Sequence, residues 1–145
     1  MVKKLSLERI MGYEGTRALE ANTPSTSYPD ELIKFVTDNF KKKNSNAQLA
    51  EDVRVASSEL IANAIDYGNR KDPGKKLRLF CSWVKNRFYF AVQDQGEGFD
   101  IDNPLLQGFP PPEGGIGLML ARDRVSLLYN FKDNASYFCK KPKKA

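Results

Sequence analysis

The sequence is organised around one stretch, Glu59-Leu60-Ile61-Ala62-Asn63-Ala64-Ile65-Asp66-Tyr67-Gly68. Apolar residues recur before and within it at helical spacing, at Leu49, Val53, Ala56, Leu60 and Ala64. This pattern predicts the last turns of an amphipathic helix that ends at Gly68. At ~100° per residue, Asn63 and Asp66 lie within about 40° of Glu59 around the helix axis. One stripe therefore carries two carboxylates and an amide, although such a stripe alone is more typical of a solvated helix edge.

Two glycine-rich segments follow downstream, Asp94-Gln95-Gly96-Glu97-Gly98 and Gly114-Gly115-Ile116-Gly117-Leu118. The first is not a dinucleotide fingerprint, because the third glycine would fall on Ile101 and no βαβ unit surrounds it. Neither is a P-loop, since no glycine turn ends in Lys-Ser or Lys-Thr. The second segment precedes a predicted helix, so its free N–H groups and the helix dipole could face an anion. Alone, the first segment is most often only a strand-to-loop turn, and the second is equally typical of a flexible loop end.

The composition indicates one soluble domain spanning residues 1–145, with 41% hydrophobic and 28% charged residues. No apolar run approaches the ~20 residues of a membrane span, and no apolar region follows the lysines at the start. We therefore expect a cytoplasmic protein with no membrane contact. The chain has no histidine, which excludes Ser-His-Asp catalysis and most zinc sites.

The net charge of +5 comes largely from lysines in the segment 140–145, which is predicted to be a basic, solvated tail. Aromatic and basic residues are not interleaved as in single-strand readers, so direct nucleic-acid binding is not expected. Cys81 and Cys139 each lie in an apolar run and form no CxxC pair. Two buried thiols are therefore expected.

In the first half of the chain, residues 1–28 are hard to interpret. Two helices are predicted after them. Short strands are predicted there at 5–10 and 16–21. Ser27 is predicted to cap a helix that runs from Pro29 to Lys43. Asn46 is predicted to cap the long helix 47–67, which carries the acidic stripe.

The second half predicts strands. Residues 77–83 and 88–93 alternate in polarity on either side of a tight turn at Lys85-Asn86. An irregular segment, 95–115, has the length of a lid or binding loop. A short helix at 116–125 and a closing hairpin, 126–131 and 135–139, complete the order. This order predicts a two-layer α+β sandwich, with a mixed, mainly antiparallel sheet and helices on one face.

Taken together, three motifs resemble the N, G1 and G2 boxes of the GHKL ATPase superfamily (gyrase, Hsp90, histidine kinase and MutL type). They are Glu59-xxx-Asn63-Ala64, Asp94-x-Gly96-x-Gly98-Phe99-Asp100 and Gly115-x-Gly117-Leu118. The resemblance runs from about Pro29 to Cys139 and implies the histidine kinase-like ATPase (Bergerat) fold. The short lid and compact length are most similar to the anti-sigma factor serine/threonine kinases.

The resemblance also implies roles for individual residues. Glu59 would be the general base, Asn63 would coordinate Mg²⁺, and Asp94 would accept a hydrogen bond from the adenine amino group of ATP. Gly96 and Gly98 would let the backbone close on the nucleotide, and Gly115 and Gly117 would present amides to the phosphates. One amide ligand suits Mg²⁺, which takes few protein ligands, and phosphoryl transfer depends mainly on positioning.

By the same resemblance, the chain would phosphorylate Ser or Thr of a STAS-domain anti-sigma antagonist, could sequester a sigma factor, and could form a homodimer. Two features depart from the family pattern. Tyr67 replaces a common histidine, and no Lys or Arg lies between Arg87 and Arg122. Either Lys71, Arg122, Arg124 or a partner then supplies the cation for the terminal phosphate, or phosphate transfer is slow.

Two alternatives remain at this point. The first is a non-catalytic switch of the same fold, which binds ATP or ADP and changes partner without transferring phosphate; the lack of a lid cation favours it and Glu59 disfavours it. The second is an ordinary α+β binding protein whose glycines only make turns.

Overall fold

The structure, a computed structural model, describes residues 7–96, 127–131 and 135–140. Its helices are α1 Leu7–Met11, α2 Asp30–Lys41 and α3 Ala47–Asn63, and a π-helical turn, Ala64–Gly68, continues α3. Its strands are β1 Arg17–Asn22, β2 Lys76–Val84, β3 Arg87–Gln93, β4 Leu127–Phe131 and β5 Ala135–Lys140. The predicted helix 116–125, most of the predicted lid, and Gly98, Gly115 and Gly117 lie outside the described residues.

The strands form one sheet in the order β1-β2-β3-β5-β4. All four pairings of these strands are antiparallel, which confirms the predicted α+β class and the mainly antiparallel sheet. The β2–β3 hairpin turns at Lys85 and Asn86, which both have positive φ, at 48° and 66°. Two left-handed residues in a two-residue loop match the twist of the flanking strands, so the predicted tight turn is confirmed.

The main core lies between one face of the sheet and the helices α2 and α3. Side chains alternate along β2 and β3, so Leu79, Cys81 and Phe90 face the helices. Val36 and Phe40 of α2 and Leu60 of α3 are fully buried against them. The predicted packing of these two helices on one face is therefore confirmed.

The opposite face of the sheet is partly covered by α1. Ile10 is fully buried there and packs with Phe80, Tyr89 and Ala91. The predicted strand at 5–10 is wrong over Leu7–Met11, whereas the strand predicted at 16–21 is confirmed as β1. A segment this short has no decisive period, and one helical turn is enough to cover the apolar side chains on this face.

Of the two predicted helix N-caps, one is confirmed and the other is wrong. Asn46 caps α3, since its side chain accepts a hydrogen bond from the Leu49 N–H at 2.9 Å. Ser27 does not cap α2: Pro29 holds that position with no side-chain cap, and the Ser27 hydroxyl donates to Asp66 instead, at 2.8 Å. The acidic first turn, Asp30 and Glu31, still complements the helix dipole.

Lys140 is not part of a solvated tail, as the sequence predicted, but the last residue of β5. It is 9% exposed, and its Nζ lies 3.0 Å from Asp52 Oδ2 on α3. This ion pair ties the sheet to the helix layer.

The two cysteines are buried free thiols, as predicted. No helix in the described part of the chain is long and apolar enough to cross a membrane.

Candidate functional site

The candidate site begins where the regular winding of α3 ends. The predicted helix was expected to run to Tyr67, but after Asn63 the backbone widens into the π-helical turn. The N–H of Asn69 donates to the Ala64 carbonyl, and the N–H of Lys71 donates to the Ile65 carbonyl, each at 2.8 Å. Single π turns are frequent at functional sites. Here the turn leads into a close contact between Gly68 and the end of β3.

Gly68 packs directly on Asp94, which follows the last residue of β3. A Cβ on Gly68 would collide with the Asp94 carboxylate, and a Cβ on Gly96 would collide with the Gly68 carbonyl. Both positions require glycine because of this close approach. The contact joins the end of the acidic helix to the first glycine turn. We call Gly68, Asp94 and Gly96 the glycine junction.

Asn69 fastens the glycine junction to the sheet. It is completely buried, and its Oδ1 accepts the N–H of Gln95 at 2.7 Å. Its Nδ2 donates to Thr23 Oγ1 at 2.8 Å and to the Lys76 carbonyl at 3.0 Å. The side-chain amide of Asn69 therefore connects the ends of β1, β2 and β3. These hydrogen bonds fix the geometry of the glycine junction.

Sequence reasoning did not identify Gly68 or Asn69 as part of the site. A Gly-Asn pair after an amphipathic helix indicates the end of that helix, and the helical backbone does end at Gly68. The signal that could have suggested more is the asparagine itself, since a side chain with both donors and an acceptor suits the connection of several strand ends.

Asp94 is a buried carboxylate, 5% exposed. Burial raises its pKa above the usual value, and the Gly96 N–H, which donates to Oδ1 at 2.8 Å, and the positive charge of Lys75 act in the opposite direction. A buried acceptor beside bare backbone is well suited to accept a hydrogen bond from a ligand amino group. The position predicted for adenine recognition thus has fitting chemistry.

Asn63 ends α3 and is 1% exposed. Among the described residues, its Nδ2 has no hydrogen-bond partner. Leaving a buried amide donor unpaired costs roughly 1–3 kcal/mol, so such groups in native proteins usually serve a ligand or a bound water. An amide in this state fits the predicted role beside Mg²⁺ and the phosphates of a nucleotide, because its oxygen can bind the metal while its nitrogen donates to a phosphate.

Glu59 lies one helical turn before Asn63 and is half-buried. Burial raises its pKa. The Tyr28 hydroxyl, 3.4 Å and 3.3 Å from its two carboxylate oxygens, lowers the pKa in opposition. The neighbouring Ser27 contacts Asp66. The carboxylates of Glu59 and Asp66 therefore both contact the loop that contains Ser27 and Tyr28. Nothing in the sequence indicated that these two loop residues belong to a site.

Lys71 is the one predicted cation that lies in the described part of the chain, since Arg122 and Arg124 fall outside it. Its Nζ is 4.0 Å from Asp66 Oδ1 and it remains exposed. Arg70 and Lys71 both have positive φ, at 51° and 59°. Left-handed backbone is uncommon for residues other than glycine, although the hairpin residues Lys85 and Asn86 also adopt it.

Comparisons with known proteins identify the family of the chain. Residues 23–133 match the family model described as the histidine kinase-like ATPase domain. The chain belongs to this family, and membership implies a site for ATP. Among its relatives is the serine-protein kinase RsbW of Bacillus subtilis (strain 168), 29% identical over 79 residues, 48% of this chain and 49% of that protein. Serine-protein kinase RsbW of Staphylococcus epidermidis is 23% identical over 129 residues, 80% of each chain.

These matches confirm the resemblance to the GHKL ATPase superfamily and its anti-sigma factor kinases. The chain spans about half the length of the Bacillus subtilis relative and four fifths of the Staphylococcus epidermidis one.

The glycine junction generates a stability prediction. Gly96→Ala forces a methyl group against the Gly68 carbonyl, so the free energy of unfolding should fall by about 1–3 kcal/mol, the usual cost of overpacking. Gly74→Ala is the matched control, because its Cβ would meet only the side chain of Asp72, at 3.2 Å. Urea unfolding of both variants measures the difference. Equal stability of the two variants would show that the junction is not tightly packed.

Proposed function

We propose that the chain is an ATP-dependent protein serine/threonine kinase of the anti-sigma factor type. It would phosphorylate a STAS-domain antagonist and could also sequester a sigma factor. The observation that carries this proposal is the contact of Gly68 with Asp94 and Gly96. It joins the end of the helix that bears Glu59 and Asn63 to the first glycine turn, as a nucleotide site requires. The relatives named serine-protein kinase support the choice of reaction.

In this proposal, each of the motif residues contacts one part of the nucleotide. Asp94 would accept a hydrogen bond from the adenine amino group, and Gly96 and Gly98 would let the backbone approach the base. Gly115 and Gly117 would present N–H groups to the phosphates. Asn63 would hold Mg²⁺, and the bound ion would supply positive charge to neutralise the phosphate oxygens.

Glu59 is the proposed general base. Its carboxylate accepts the proton of the acceptor hydroxyl as that oxygen forms a bond to the γ-phosphorus. The bond from the γ-phosphorus to the β–γ bridging oxygen breaks, and its electron pair leaves with ADP. The raised pKa of Glu59 suits this role, because a base works best when its pKa lies near the working pH.

A second candidate function is the non-catalytic switch of the same fold. Residues 88–121 contain no Lys or Arg, so this segment supplies no charge for the terminal phosphate. In the kinase proposal Lys71 is the first candidate for that charge, because it lies in the turn that follows Asn69 and the π-helix, and its amine is exposed. In the switch, nucleotide binding alone would change the partner.

Glu59 and Asn63 should separate chemistry from binding. Glu59→Gln retains size and polarity but loses the base, so phosphate transfer should fall by ~10²–10⁴ while ATP affinity holds. Asn63→Ala should weaken Mg-ATP binding itself. Calorimetric titration beside a radiolabelled transfer assay to the STAS partner measures both. Glu51→Gln is the control, since Glu51 lies on α3 and pairs with Arg54 away from the site.

Each outcome of this pair of assays has a distinct meaning. Transfer by Glu59→Gln at the wild-type rate would exclude Glu59 as the base. Binding of Mg-ATP by a wild-type chain that transfers nothing to any partner would replace the kinase by the switch. A wild-type chain that binds no nucleotide would reject both.

Tyr28 should set the pH dependence of the reaction. Its hydrogen bond stabilises the ionised form of Glu59, so Tyr28→Phe should raise the pKa of that carboxyl. Because the base must be ionised, the acid limb of the kcat profile should move to higher pH, and the rates should converge with wild type above both pKa values. Tyr13→Phe, on the opposite face of the sheet, is the control. An unshifted acid limb would rule out this contact.

A further inference from the structure

A chain of hydrogen bonds runs from the loop after β1 to the residue that follows Asp94. Thr23 comes directly after β1 and is 5% exposed, and Asn69 is completely buried. The Thr23 hydroxyl accepts a hydrogen bond from Asn69 Nδ2 at 2.8 Å, and Asn69 Oδ1 accepts the N–H of Gln95 at 2.7 Å. We call Thr23, Asn69 and Gln95 the buried relay. The proposed function assigns no role to any of these three residues.

Both hydrogens and the oxygen of the central amide are engaged. Besides its bond to Thr23, Asn69 Nδ2 donates to the Lys76 carbonyl at 3.0 Å. The Lys76 N–H in turn donates to Gln95 Oε1 at 2.7 Å, so Asn69, Lys76 and Gln95 form a closed ring of hydrogen bonds. The Thr23 hydroxyl also donates to the Lys75 carbonyl at 2.9 Å. A buried polar network whose members are satisfied is rigid and favours one arrangement.

The buried relay is one residue away from the glycine junction on both of the segments that meet there. Gly68 precedes Asn69, and Asp94 precedes Gln95. The bond from the Gln95 N–H to Asn69 Oδ1 therefore joins the two segments directly beside the contact of Gly68 with Asp94. The Gly96 N–H that binds Asp94 Oδ1 belongs to the same turn as Asp94, so it does not fix that turn relative to Gly68. The relay supplies this fixed link.

The position of Asp94 matters most for the choice of base. Its carboxylate is a hydrogen-bond acceptor, so it favours a ring that presents an amino group over a ring that presents an oxygen at the same place. This discrimination depends on placement, because hydrogen bonds weaken steeply when they are misaligned, and a shift of about 1 Å can cost ~10²-fold. The sugar and the phosphates are common to both kinds of nucleotide and do not contribute to the choice.

We infer that Thr23 and Asn69 are positioning residues for base selection, an inference that rests on the proposed nucleotide site. They act through Gln95 to hold Asp94 where it accepts the amino group of adenine, and both side chains are too buried to contact a ligand themselves. The ligands selected are adenine nucleotides, and those rejected are nucleotides with an oxygen in place of the amino group. A residue of the loop after β1, far from Asp94 in sequence, thus contributes to selectivity.

Calorimetric titrations with the Mg²⁺ complexes of ADP and of inosine diphosphate test the inference, because inosine carries an oxygen where adenine carries its amino group. The wild-type chain should bind ADP about tenfold or more tightly than inosine diphosphate. Asn69→Ala should lower this ratio about threefold or more, through weaker binding of ADP. Asn39→Ala is the matched control: Asn39 is also buried, its amide donates to the Phe35 carbonyl, and it contacts Trp83, near the other end of β2.

Thr23 provides a milder pair of variants. Thr23→Val keeps the shape of the side chain but removes the hydroxyl, so the ratio should fall about twofold or more. Thr23→Ser keeps the hydroxyl and should retain the wild-type ratio. A merely structural role would weaken the binding of both nucleotides alike and leave the ratio unchanged. Urea unfolding checks that each variant is folded.

The outcomes separate this inference from the proposed function. A wild-type ratio in folded Thr23→Val and Asn69→Ala would overturn the inference and leave the proposed function intact. A loss of selectivity in Thr23→Ser as large as in Thr23→Val, or in Asn39→Ala as large as in Asn69→Ala, would also overturn it. Equal binding of the two nucleotides by the wild-type chain would instead reject the placement of adenine at Asp94, and the inference with it.

Discussion

The close approach of Gly68 to Asp94 and Gly96 is the constraint on which the candidate site depends. It brings the end of a helix and the end of a strand to a separation that only glycine permits. The π-helical turn delivers Gly68 to this position, and the buried side chain of Asn69 holds the strand ends around it. Without this contact, the acidic stripe of α3 and the glycine turn after β3 would be separate features of the surface.

The polar groups around the glycine junction are in environments that cost stability. Asp94 is buried with a raised pKa, and the amide nitrogen of Asn63 has no partner within the part of the chain that the structure describes. Folding concentrates these costs where the proposed nucleotide would supply the missing interactions, a common trade between stability and function.

The elements with strong periodicity could be predicted from sequence: α2, α3, the β2–β3 hairpin and the closing strands. The rest depended on tertiary contacts. A five-residue α1 has no decisive period. Ser27 does not cap α2 as predicted, because its hydroxyl donates to the Asp66 carboxylate, which is nearby in space. Lys140 looked like part of a tail because its partner, Asp52, is distant in sequence. For the site, Glu59, Asn63, Asp94 and Gly96 stood out as motif residues, whereas Gly68 and Tyr28 act through contacts that no spacing reveals.

The most direct test of the account is Mg-ADP titration of Asp94→Asn, with urea unfolding of the free protein. Asparagine can still accept the Gly96 N–H, but it lacks the charge that would bind an adenine amino group. Affinity should therefore fall about tenfold or more. Because the folded state raises the pKa of Asp94, its charged form is disfavoured by folding at neutral pH, so the variant's free energy of unfolding should not fall. Unchanged affinity in a folded Asp94→Asn variant would contradict the placement of the nucleotide at the glycine junction.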